Sequence, residues 1–239
     1  MKPILFNTDM VRAILNGRKT VTRRVVKFKP GQNPQWTGYI PDGQVLYGSN
    51  NIPASKSPYH LGDILYVRET WAKRESDRCK GIETGRCPFE TCETAHGPCF
   101  NEEYIYKATD SLPTYGGKWH PSIHMPKEAA RMFLRVTDVR AERLQAITIE
   151  DIQKEGLMRE NVRSSGCTCA WATDGCMDEP CSNRDSYEWL CWATPFQRLW
   201  DSTVKATDRD QYGWSANPWV WVIEFKRVSK EAALKGGAK

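Results

Sequence analysis

The stretch NGRKTVTRRVV, from Asn16 to Val26, holds two threonines and four basic side chains, Arg18, Lys19, Arg23 and Arg24. A hydroxyl and an amine at that spacing can form a nucleophile and its base. Threonine attacks only when a base within hydrogen-bond reach takes its proton. Lysine can be that base once burial and neighbouring cations pull its pKa down from about 10.4. Arg23 and Arg24 would supply the cations. Arg24 lies two residues beyond Thr22, on the same strand face, where it can bind a carbonyl or phosphate oxygen. The same residues also fit a basic strand resting on nucleic acid. Taken singly they have ordinary roles, since a lysine past a helix end complements its dipole and threonine is a good strand former.

A second chemistry is offered by the nine cysteines. Cys79, Cys87, Cys92 and Cys99 fall in one polar segment, and Cys167, Cys169, Cys176, Cys181 and Cys191 in another. Their spacings, C-x7-C-x4-C-x6-C and C-x-C-x6-C-x4-C, lack the paired C-x2-C knuckles of common zinc sites. The expectation is a structural zinc bound by Cys79, Cys87, Cys92 and Cys99 and another by Cys167, Cys169, Cys176 and Cys181, with no cofactor needed for catalysis.

Further binding candidates follow the strand ILYVRETW. Glu69 and Trp71 can line a cleft, the indole stacking on a pyrimidine. His124, with His120, stands beside Trp119 in KWHPSIHMP and can touch a base, although a structural histidine is the plainer reading.

The elements that must position these groups follow from periodicity. Met10, Val11, Ile14 and Leu15 recur at helical spacing after Thr8, a good N-cap, and Asn16-Gly17 supplies the stop. KTVTRRVV then reads as a strand carrying Thr20, Thr22 and Arg24 on one face, with Lys19 in the turn. Further strands are expected in DILYVRETW, EYIYKAT, MFLRVTDV and PWVWVIEFKRV. Two helices are expected in TIEDIQKEG and in TPFQRLWDS, the latter capped at Thr194 with Pro195 in its first turn. Phe196, Leu199 and Trp200 form its buried stripe. The run from Pro30 to Pro58 reads as a long loop.

The fold class is therefore mainly β with flanking helices, in a single domain over 1–228. The cysteine-rich insertions span about 73–101 and 158–192, and 229–239 is a tail. With 34 Lys and Arg against 29 Asp and Glu, the net charge of +5 suits a polyanionic partner without demanding one. No apolar run approaches the roughly 18 residues of a membrane span, and the start of the chain lacks the pattern of an export signal. The expectation is a soluble, cytoplasmic protein with no membrane partner.

Four ordered stretches carry a resemblance: NGRKTVTRR, GDILYVRETWA, KWHPSIHMPKEAARMFLRVTDVRAERLQAITIEDIQKEGL and WSANPWVWVIEFKRV. Together they resemble the ASCH (activating signal cointegrator homology) family, in the longer form common in phages and prophages. The resemblance implies a PUA-like fold, a small closed β-barrel with flanking helices and a cleft, of a class often linked to RNA. Some small bacterial members are N4-acetylcytidine amidohydrolases. They use a lysine and a threonine from GRKTxTxR and a glutamate from a helix that follows a strand. Carried over, these are Lys19 as base, Thr22 as nucleophile and Glu155 as proton donor, with Glu150 and Asp151 the fallback acids. Those enzymes are much shorter and lack both the cysteine segments and the Pro30 to Pro58 run.

The implied reaction removes the acyl group from N4-acylated cytidine or cytosine, releasing the amine and a carboxylic acid. The departing nitrogen is conjugated to an electron-poor ring, so a positioned hydroxyl suffices. An apolar pocket would keep Glu155 protonated, and backbone N–H groups near Gly17 would hold the oxyanion. Small nucleosides are the expected substrates, with acyl groups larger than acetyl tolerated. The alternative is a non-catalytic RNA-binding module, in which Arg68, Trp71, Lys73 and Arg74 interleave charge and aromatic faces.

Overall fold

The computed structural model describes residues 1–28, 34–40, 43–48, 53–73, 104–111, 118–158 and 184–236. Its centre is a five-stranded sheet whose order is β1 (Lys2–Leu5), β6 (Ile64–Arg68), β9 (Phe133–Arg143), β10 (Trp219–Val228) and β2 (Val21–Val25). The β1–β6 pair is parallel and the other pairs are antiparallel. Alternation along β10 divides the core. Trp221, Ile223 and Phe225 join a cluster with Ile4, Phe6, Val11, Ile14, Leu65 and Leu134. Val220 and Val222 join Val21, Leu144, Ile152, Phe196 and Trp200 on the opposite face.

Helix α1 (Thr8–Leu15) connects β1 to β2, and its buried Val11 and Ile14 bind it to the first cluster. Its N-cap is Asn7, one residue before the expected Thr8, because Asn7 Oδ1 accepts from Met10 N–H at 2.8 Å. Helix α2 (Ile149–Lys154) begins as expected at Thr148, whose hydroxyl accepts from Asp151 N–H at 3.2 Å. The helix expected to start at Thr194 is longer: α3 runs Arg184–Thr203 with Pro195 inside it. Its aromatic stripe overrides the proline. Phe196 and Trp200 are buried on the second cluster and Leu199 is half-buried.

The Pro30 to Pro58 run is not loop throughout. It contains a three-stranded antiparallel sheet of β3 (Pro34–Ile40), β4 (Gly43–Gly48) and β5 (Pro53–Lys56). The strands β7 (Trp71–Lys73) and β8 (Tyr104–Tyr106) pair separately. After the short α4 (Arg209–Tyr212) and β10, the expected tail forms α5 (Lys230–Gly236), anchored by the fully buried Ala233.

The mixed, mainly β architecture agrees with the sequence, but among the described residues the sheet does not close into a barrel. Edge strands β1 and β2 approach through a side chain in place of a backbone ladder, as Arg24 Nη2 donates to Leu5 O at 2.6 Å. Phe6 lies just past β1, with Arg24 Cζ 5.3 Å and Lys19 Nζ 5.8 Å from its ring centroid. The edge of β2 is thereby left for side chains to furnish.

Candidate active site

The turn after α1 is fixed at both ends. Gly17, at φ +73°, lets the chain reverse. Its N–H donates to Ile14 O, those of Arg18 and Lys19 donate to Ala13 O, and that of Thr20 reaches Lys154 O of α2 at 2.9 Å. These bonds correct the expectation of an oxyanion site near Gly17, since the amides are already used.

From this turn the Lys19 side chain runs inward and is only 1% exposed. Its Nζ donates to Val21 O at 2.8 Å, to Glu155 O at 3.1 Å and to Glu155 Oε2 at 2.5 Å, occupying all three ammonium protons. Burial lowers the Lys19 pKa below its ordinary value. Glu155 opposes that shift, and Arg24 and Arg23 reinforce it.

Glu155 caps the C-terminus of α2, and the chain leaves through Gly156 at φ +99°. A Cβ on Gly156 would stand 2.8 Å from Ala13 Cβ and 3.1 Å from Lys19 Cβ, so only glycine lets α2 approach the lysine this closely. The carboxylate is 7% exposed, with Oε2 on Lys19 and Oε1 3.2 Å from Arg23 Nη1. The expected apolar pocket is replaced by two cations.

Arg23 extends this pair into a network. Its Nη2 lies 2.8 Å from Glu142 Oε1 and 2.9 Å from Asp151 Oδ2. Arg140 meets the same two acids from the other side, at 3.5 and 3.7 Å, and reaches Glu224 at 2.6 Å. The sheet register explains the meeting, because Arg23 and Arg140 both stand opposite Val222 on adjacent strands.

Thr22 is 2% exposed and lines a cavity of about 60 Å³ with Met10, Arg23, Arg24, Glu155, Phe196 and Trp200. Among the described residues no hydrogen bond joins its hydroxyl to Lys19. The neighbouring backbone offers donors on its open edge. Phe225 N–H bonds Thr20 O and Val26 N–H bonds Trp219 O, so the even residues of β2 face β10 and the amide of Arg23 points out of the open edge. Val21 O accepts from Lys19 on that same edge.

Arg24 lines the cavity as expected. Glu69 is not among the residues lining the Thr22 cavity: it is 1% exposed and forms a two-pronged pair with Arg131, at 2.9 and 3.0 Å. Trp71 stacks on His120 at 4.9 Å, and its backbone bridges the same residue. Arg68 donates to Ile123 O. These contacts occupy part of the expected base-stacking platform. His124 is exposed in a 3-10 turn and Glu150 is exposed on α2, neither lining the cavity. Lys73 lies on β7, whereas Arg74 and the cysteines Cys79, Cys87, Cys92, Cys99, Cys167, Cys169, Cys176 and Cys181 lie outside the described residues.

Part of the network around Arg23 and Arg140 carried a signal in the sequence: Asp138, Arg140 and Glu142 alternate with Val139 and Ala141, a period of two that places the charges on one face. Arg131 carried none, being 62 positions from Glu69. No protein-family model matches the chain, and no curated protein and no solved structure matches it either.

Proposed function

We propose that the chain is an amidohydrolase acting on N4-acylated cytidine or cytosine, of the kind the ASCH resemblance implies. The observation that carries this reading is a buried lysine held 2.5 Å from a buried glutamate, beside a cavity that the glutamate shares with a buried threonine. Burying a charged pair is costly, and a fold gains little stability from it over apolar packing. Such an arrangement is therefore a fitting mark of chemistry.

In this mechanism a proton passes from Lys19 Nζ to Glu155 Oε2 along their short contact. The resulting amine takes the proton of Thr22 as Oγ1 bonds to the acyl carbon, a hydrogen bond made only once substrate fills the cavity. The carbonyl electron pair moves onto oxygen, where the outward amide of Arg23 and the Arg24 guanidinium are the available donors. As the oxyanion collapses, the C–N bond breaks, and Glu155 protonates the departing nitrogen. Water then attacks the acyl-threonine with Glu155 accepting its proton, Lys19 returns a proton to Thr22 Oγ1, and the acid Glu155 re-protonates Lys19 as the carboxylic acid leaves. The test is incubation with N4-acetylcytidine and chromatography for cytidine. Cytidine formed by the parent chain and not by Thr22→Val supports the reading, and no release by well-folded protein overturns it.

A further inference from the structure

Asp151 of α2 and the C-cap Glu155 lie one turn apart on the same face of the helix, and the Arg23 guanidinium bridges them. Its Nη2 is 2.9 Å from Asp151 Oδ2 and its Nη1 is 3.2 Å from Glu155 Oε1. Glu142 Oε1 closes the other side of the fork, 2.8 Å from Nη2 and 3.2 Å from Nε. The side chain is 1% exposed, and all three of its guanidinium nitrogens donate to carboxylates. The two outer acids are held in turn, because each gives its second oxygen to Arg140: Glu142 Oε2 at 3.5 Å and Asp151 Oδ1 at 3.7 Å.

A glutamate carboxylate left to itself turns easily about its last bond, whose potential is broad and two-fold, and its oxygens change places. Glu155 carries a different cation on each oxygen, Lys19 on Oε2 and Arg23 on Oε1, so any such turn breaks a buried ion pair. The proposed reaction depends on that orientation, since Oε2 takes a proton from Lys19 and gives it to the departing nitrogen. We propose that the Arg23 side chain is a positioning residue of the Thr22 site: clamped by Asp151 and Glu142, it fixes Oε1 of Glu155 and thereby aims Oε2 at Lys19. The part that Glu155 plays in the chemistry rests on the amidohydrolase reading, whereas its orientation rests on the ion-pair geometry alone.

Two measurements separate orientation from chemistry. The first needs no catalysis: it is the exchange of the Lys19 ammonium protons with water, read by nitrogen NMR and assigned through its absence in Lys19→Arg. Freeing Oε1 in Arg23→Gln should speed that exchange at least about tenfold, the equivalent of one weakened charge-assisted bond. In a Glu155→Gln background the same change should speed it by about twofold or less, because the two residues act through one contact. Arg23→Lys keeps the buried cation without the fork and should fall between Arg23→Gln and the parent. It decides the matter alone if melting curves show Arg23→Gln unfolded. An exchange rate unmoved in folded Arg23→Lys, or raised equally with and without the Glu155 carboxylate, makes the arginine merely structural and overturns the proposal. The second measurement is turnover of N4-acetylcytidine, with the backbone amide of Arg23 present in every variant. Arg23→Gln should lower it on the order of tenfold to a hundredfold, and this loss should shrink to about twofold in the Glu155→Gln background. Equal losses in both backgrounds overturn the proposal. If the parent cleaves no acylated compound while the exchange results stand, the amidohydrolase reading falls and the orientation of Glu155 by Arg23 survives.

Discussion

Lys19 is governed by opposed influences, and each can be removed separately. Burial lowers its pKa, Glu155 raises it, and Arg24 and Arg23 lower it. Unfolded chain therefore binds this proton more tightly than folded chain, so the penalty of burying the charge is relieved as pH rises toward about 10.4. In the proposed mechanism the Lys19–Glu155 pair works with one shared proton. Loss of that proton from Lys19 therefore sets the alkaline limb of the rate profile, which the same shift places below the ordinary lysine range. Arg24→Gln should move that limb to higher pH, and Glu155→Gln should move the limb of its residual rate lower; shifts of the same sign in both would contradict Lys19 as the titrating base. Lys19→Arg keeps a cation but gives no neutral amine, and Thr22→Val keeps the shape without the hydroxyl. Each should reduce turnover by on the order of 10²–10⁴, and their double variant should be no worse than the poorer single one. Near-parental turnover in well-folded single variants would remove both residues from the chemistry.

The approach of α2 to α1 sets the distance between Glu155 and Lys19, and Gly156 sets that approach. Gly156→Ala combines a left-handed φ of +99° with a Cβ 2.8 Å from Ala13. It should destabilise by about 1–3 kcal/mol and also depress turnover, because relief of the clash drives Lys19 from Glu155. Melting and rate measured together check it: a lowered melting point with full activity would mean that the helix yields elsewhere. Much of this geometry was legible in the sequence. Asn16-Gly17 marked the turn, Thr148 marked the start of α2, and the β-branched alternation of KTVTRRVV placed Thr22 with Arg24. Other features were hidden by physical rules that compete. Pro195 reads as a helix start because its ring fits a first turn, yet the packing of Phe196 and Trp200 carries the helix across it. Gly and Pro in the 30–58 run read as loop, although strands at the margin of a fold tolerate both. The ion pair of Glu69 with Arg131 depends on β6 and β9 being neighbours, which no local pattern states.

At the scale of the molecule, the buried acids Glu155 and Glu69 have distinct surroundings, and that contrast bears on which of them serves the fold. Glu155 holds Lys19 and shares Arg23 with Asp151 and Glu142 beside a cavity. Glu69 instead meets one guanidinium on both oxygens, its amide donates to Met125 Sδ at 3.1 Å, and Arg131 is further held by Thr109 and by the Tyr106 ring at 3.9 Å. Every partner of Glu69 is thus part of the packing between β6, β8 and β9, which makes it a clamp on the fold. Glu69→Ala leaves Arg131 without its acid, but that side chain is 28% exposed and water recovers part of the loss. The expected destabilisation is about 3 kcal/mol, the low end for a broken buried pair, or a melting point lower by on the order of 10 °C. Removing the stranded cation as well, in Glu69→Ala/Arg131→Leu, should restore part of that loss, because neighbouring sites are not additive. Both variants should keep the parental KM for an acylated nucleoside at a temperature where they are folded. A KM raised about tenfold in Glu69→Ala with an unchanged melting point would return Glu69 to the substrate cleft that its place after β6 first suggested.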